Sequence, residues 1–218
     1  MADFDPGTGL GPRLRLVRTS RQLSVRELAR RVGCSASLIS QIERGVSVPS
    51  VGVLYSLATE LGSSLDYLLF GSGAGPDGVS AETPAAGFGP AVTPEPRPAA
   101  PPAAIVQRGC DRRIIDLASG VRWERLTPQS EEMTDFLEVI YSPGGHSTDE
   151  RRPLRHDGRE YGLIISGTLQ ANVGFESYEL GPGDSIAFDS STPHEYLNKT
   201  GEVVHAIWVV IHSEPGRA

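Results

Sequence analysis

One stretch of this chain constrains everything around it. Residues 71–104 hold nine alanines, eight prolines and six glycines, with Phe88 as the only aromatic. Such a segment buries too little apolar surface to offset the conformational entropy of ordering it. It is expected to be a disordered linker, stiffer near Pro94–Pro102. The chain is therefore expected to form two domains: 10–70, and 108–213 beyond a linker set at 71–107. Its 218 residues with 39% hydrophobic content suit two modest cores better than one large one.

The segment 10–70 reads as helical throughout. Leu14, Val17 and Leu23 mark a first helix ending near Arg21. Ser24 and Glu27 have the spacing of a capping box, with Glu27 reaching back to Ser24. Leu28, Ala29 and Val32 form the inner face of the second helix, and Gly33 supplies a turn residue. Ser35 opens a third helix with Leu38, Ile39 and Ile42 inward, ended by Gly45. Pro49-Ser50 opens a fourth, with Val53, Leu54, Leu57, Ala58 and Leu61 inside and Gly62 after it. Ser64 to Phe70 makes a short fifth helix. Residues 110–212 instead show short Val-, Ile-, Tyr- and Phe-rich runs between turn residues, including 136–141, 160–165, 168–173, 185–188 and 203–211. That spacing predicts an all-β barrel or sandwich.

The net charge of −7 argues at first against a nucleic-acid partner, but its distribution reverses that. Leu10 to Phe70 carries eight arginines against four acids, a net +4, which leaves −11 on the remainder. A small basic domain on an acidic remainder is the asymmetry of a DNA binder. No run of 18 apolar residues predicts a membrane span, and the acidic start Met1 to Asp5 has no signal-peptide core. Cys34 and Cys110 lie in different segments and form no CxxC, so neither a disulfide framework nor a zinc knuckle is expected. A cytoplasmic protein fits these features.

The helix, tight turn and helix over 24–44 are the unit that sets its second helix in the major groove. The pattern SxxELA…GxSxSxISQIERG…PS, across about sixty residues, resembles the Xre/lambda-repressor-like family. The resemblance implies a five-helix domain that binds pseudo-palindromic operators as a homodimer. It puts base-reading positions on Ser35, Ala36, Ser37 and Gln41, with Ser40 on the adjoining face. Gln41 suits adenine, which a glutamine amide pairs at N6 and N7, and Ala36 suits a thymine methyl. Arg44, Arg26 and Ser24 are placed for phosphates, which fix position without reading sequence.

Residues 153–198 resemble the cupin family, implying a double-stranded β-helix, or jelly-roll, barrel. His156, Glu160 and Gly167 match the first family motif, although Leu154 stands where its first histidine belongs. Gly183, His194 and Asn198 match the second, with Asp189 and Ser191 replacing its Pro and Gly. Three of four usual metal ligands remain. A two-His, one-carboxylate set of His156, Glu160 and His194 suits iron with open positions, or zinc. Extended backbone would give His156 and Glu160 one strand parity. Trp123, Tyr196 and Trp208 are candidate pocket walls, and Gly162 a position that leaves room for a ligand. His146, His205 and His212 lack ligand spacing and are expected at the surface or an edge.

Together these features predict a DNA-binding transcription regulator whose barrel senses a small-molecule effector. The alternative is a mononuclear non-haem iron oxidase. Hydroxypropylphosphonate epoxidases are similar in joining the same two domains and in a His-x3-Glu…His iron set.

Overall fold

The computed structural model describes residues 9–71, 105–129, 131, 133–148 and 153–212. The linker expected at 71–107 falls mostly on 72–104, outside the described residues.

Five helices form the first unit: α1 (Leu10–Ser20), α2 (Val25–Val32), α3 (Ala36–Glu43), α4 (Val51–Leu61) and α5 (Leu65–Phe70). Four of them start on a serine whose Oγ accepts from the backbone N–H three residues on. These pairs are Ser24–Glu27, Ser35–Leu38, Ser50–Val53 and Ser64–Tyr67. Gly33, at φ +77°, ends α2 in the left-handed region and turns the chain toward α3. The expected capping box is half realised. The Glu27 carboxylate does not reach back to Ser24; it is taken by Arg30 and Arg31, at 2.7 and 2.8 Å. Those two guanidiniums pull its pKa down to about 2. Arginines one turn on outcompete a backbone N–H for a carboxylate because they carry full charge.

Leu14, Val17, Leu28, Ile39, Leu54, Leu57 and Leu68 are fully buried and make the helical core. A nearly buried ion pair runs through it. Arg18 of α1 forks onto Glu43 at the end of α3, at 2.5 and 2.9 Å, and donates its third nitrogen to Leu23 O at 2.7 Å. The pair fixes α3 against α1.

Among the described residues the second unit has nine antiparallel strands: β1 (Ile114–Leu117), β2 (Val121–Arg125), β3 (Thr134–Tyr141), β4 (Arg159–Ser166), β5 (Leu169–Val173), β6 (Glu176–Leu180), β7 (Ser185–Asp189), β8 (His194–Leu197) and β9 (Val204–Ile211). One sheet runs β1-β2-β3-β9-β4-β7 and the other β6-β5-β8. This is the expected cupin architecture. Alternation sets the inner face: Val204, Ala206, Trp208 and Val210 of β9 are buried while the residues between them are not. The motif residue Asn198 is buried and structural. Its amide donates to Tyr141 O, Ser142 O and Glu202 O, and its carbonyl accepts from Thr200. Among the described residues no helix is long and apolar enough to cross a membrane.

Candidate functional sites: a helical reading face and a polar barrel core

The first candidate site is the outer face of α3. Ser35, Ser37 and Arg44 are exposed, and Ala36, Ser40 and Gln41 are half-buried at its flank. Ser24 and Arg26, at the start of α2, are exposed as well. The hydroxyls of Ser24 and Ser35 are already engaged as caps. The Gln41 amide makes only a long 3.5 Å contact with Ser37 Oγ, so it is available to an outside partner. Arg44 is exposed, and its Nε donates to Ser40 O at 3.1 Å.

The second site lies inside the barrel. His156, Glu160 and His194 are brought together, and one ligand atom from each lies within 4.8 Å of the others. Glu160 points inward from β4, and His194 opens β8. His156 does not share extended parity with Glu160. The chain bends through Asp157-Gly158 before β4 begins. Gly158 has φ +121°, and a Cβ there would lie 2.3 Å from Ile211 O, so only glycine makes this bend. The bend, not a strand, delivers His156 to the site.

Glu160 Oε2 accepts from Tyr196 OH and Trp208 Nε1, each at 2.7 Å. Its Oε1 lies 2.8 Å from His156 Nε2 and 3.0 Å from His194 Nε2. Burial pushes the carboxyl pKa up, but the two imidazoles outweigh it and hold the group well below the usual carboxylate range. Both Nε2 atoms are buried and complete no hydrogen bond of good geometry.

Protonation sharpens the point. His194 Nδ1 lies 2.8 Å from Thr192 O, a carbonyl that only accepts, so Nδ1 carries the proton. In a neutral ring Nε2 is then a lone pair facing a carboxylate oxygen. A protonated ring would donate Nε2–H to Glu160, whereas a neutral ring leaves that lone pair for a metal cation. Metal–ligand bonds of about 2.1 Å set at right angles place neighbouring ligand atoms roughly 3.0 Å apart. The donor set fits a divalent metal on separation, burial and unmet bonding capacity. The hydrogen bonds from Tyr196 and Trp208 would orient the carboxylate, as outer partners do in metal sites.

Trp123, Tyr196 and Trp208 line a cavity beside Glu160, together with Leu154. Gly162 does not leave room for a ligand. It pairs with Trp208 across β4 and β9, and a Cβ there would lie 2.4 Å from the indole. The missing side chain makes space for Trp208. Gly162→Ala is expected to push the indole off Glu160 and cost about 1–3 kcal/mol of barrel stability, read by urea unfolding. An unchanged midpoint would show that the indole has another place to go.

Of the other histidines, His205 pairs with Glu138 at 2.9 Å and His212 with Asp135 at 2.7 Å. His146 Nδ1 contacts Thr148 O. None joins the triad. The lining also includes residues not foreseen from the sequence: Leu137, Val139, Tyr141, Ser147 and Val210 of the barrel, and Val51 and Tyr55, which come from α4 of the helical unit. The Tyr55 ring lies flat on His156, with centroids 4.4 Å apart and planes 7° from parallel.

Fold and site together define a protein that joins a helix-turn-helix domain to a cupin barrel. The helix-turn-helix family matches residues 14–68 and the Cupin domain family residues 137–210. Among individual proteins, the HTH-type transcriptional regulator PuuR of Escherichia coli K12 is 25% identical over 205 residues, covering 93% of this chain and 95% of its own. The solved HTH_3 family transcriptional regulator of Vibrio cholerae has the same fold at TM-score 0.60 and 19% identity, covering 96% of this chain and 98% of that one. Hydroxypropylphosphonic acid epoxidase from S. wedmorenis aligns over 94% of this chain and 98% of its own, at 18% identity and a TM-score of only 0.42.

Proposed function

We propose that this protein is a cytoplasmic, sequence-specific DNA-binding transcription regulator that acts as a homodimer, with the cupin barrel as its sensor. The observation that carries the reading is the polar face of α3, held out to solvent by a capped helix-turn-helix in a basic domain. The α3 helices of a dimer would enter successive major grooves about 34–36 Å apart on a pseudo-palindromic operator. Gln41 reads a base, Ala36 meets a thymine methyl, and Arg44 and Arg26 hold phosphates.

The test is binding to DNA from the protein's own upstream region, by fluorescence anisotropy across a salt series. Gln41→Ala is expected to lose about 1–3 kcal/mol of discrimination at one position of each half-site. Arg44→Ala is expected to weaken binding to all sequences and reduce the salt slope by about 1. If both variants match the parent in affinity and specificity, α3 does not read DNA.

In the sensor, His156, Glu160 and His194 hold a divalent metal, iron or zinc, through two imidazoles and a carboxylate. Bound there, the metal supplies a positive charge with open positions for an effector's polar group. The same triad supports a second reading, an iron-dependent oxidase whose helical domain is structural. Substrate turnover by the iron-loaded protein with no DNA binding would establish that reading in place of the first.

A further inference from the structure

One side of the barrel cavity is lined by the other domain. Val51 and Tyr55, one helical turn apart on α4, line it from one side, and Trp123, Leu154, Glu160 and Trp208 from the other. Tyr55 covers His156 face to face and meets Trp123 edge-on with centroids 6.0 Å apart. Around this plug the two units hold each other at several points. Pro49 O accepts from Ala118 N at 3.2 Å. Gly52 packs on the barrel rim, where a Cβ would find Leu154, Ser147 and Thr148 within 3.6–3.8 Å. Phe70, at the end of α5, takes Arg113 on its carbonyl at 3.3 Å and the Arg125 guanidinium over its ring at 5.1 Å. The space left inside is about 20 Å³. That holds one water or ion and no organic molecule.

We propose that α4 is the closing wall of the cupin pocket. An organic ligand then reaches His156, Glu160 and His194 only when Tyr55 is displaced and the helical domain shifts from the barrel rim. This rests on the sensor reading above and names how that site is regulated. Ligand and α4 compete for one place. α4 packs on α2, which in turn packs on the recognition helix α3, so shifting the helical unit off the rim carries α3 with it. A ligand that binds only the open form shifts the equilibrium by its full affinity for that form. A bare metal ion fits without opening.

Access to the two histidines tests this without knowing the ligand. The probe is diethyl pyrocarbonate, a small electrophile that acylates imidazole nitrogen, with each histidine followed by peptide mass spectrometry. A lock is available: Gly52→Cys with Thr148→Cys, in a Cys34→Ser/Cys110→Ser background. A Cβ at position 52 would lie 3.8 Å from Thr148 Cα, within disulfide reach. The oxidised lock is expected to acylate His156 and His194 at least about tenfold more slowly than the same protein after reduction, with the partly exposed His205 unaffected. Equal rates in the oxidised and reduced lock overturn the proposal. If the crosslink does not form, Tyr55→Ala and Tyr55→Phe decide it. The alanine variant should acylate both histidines at least about tenfold faster than the phenylalanine variant, which keeps the stacked ring. Equal rates there overturn it as well. Failure to bind DNA would remove the regulator reading, and failure to bind metal the metal assignment, without moving these acylation rates, so the failures are distinguishable.

Discussion

Arg18→Ala is expected to cost the helical domain about 3–5 kcal/mol, the loss typical of breaking a buried ion pair from one side. The Arg18 and Glu43 side chains are only 10% and 8% exposed, so water does not replace the lost partner. Glu43 sits at the C-terminal end of α3, where the helix dipole already disfavours a negative charge. The Leu23 carbonyl loses its donor at the same time. A domain of about 60 residues has roughly 3–9 kcal/mol of stability in all, so most of it is at stake. Urea unfolding should show the helical transition moved sharply down while the barrel transition stays. An Arg18→Met/Glu43→Leu double variant should recover most of the loss, because no buried charge is left unpaired. A single variant as stable as the parent would mean that the pair is solvated in solution.

The second large effect concerns the barrel. Glu160→Gln is expected to lower divalent-metal affinity by more than about 100-fold, since losing only an outer hydrogen-bond partner already costs 10–100-fold. Glutamine keeps an oxygen for Tyr196 and Trp208 but removes the one negative charge the triad offers. Affinity is measured by competition against a chelator with zinc or anaerobic ferrous iron. The variant should keep its fold and its DNA affinity without metal. Undiminished metal affinity would put the ion somewhere other than His156, Glu160 and His194.

What the sequence discloses follows the range of the interactions. The helices are legible because their signals are local: each capping serine acts three residues along the chain, and glycine follows α2 and α4. The recognition face follows from the same local order. The metal triad is legible as a residue set, from motif spacing, but not as geometry. The bend at Gly158 that delivers His156 depends on the nearby Ile211 carbonyl, more than fifty residues away. Gly162 misleads for the same reason, since Trp208 comes to face it only through the pairing of β4 with β9. Tyr55 goes unnoticed because Leu54, Leu57, Ala58 and Leu61 already complete one apolar stripe on α4. The clue was present: Val51 and Tyr55 form a second apolar pair at i, i+4, and a helix with two apolar faces has two neighbours.

Both tryptophans of the chain, Trp123 and Trp208, stand in the cavity wall, one against Tyr55 and the other bonded to Glu160. The helical domain contains none. The molecule's indole emission therefore arises wholly at the junction of its two domains, without background from the DNA-reading part. A paramagnetic ion at the triad would quench Trp208 directly, and separation of α4 would let water relax the excited state of Trp123. The native chain thus carries an optical gauge of its own pocket, readable at low concentration and in the presence of DNA with no label attached.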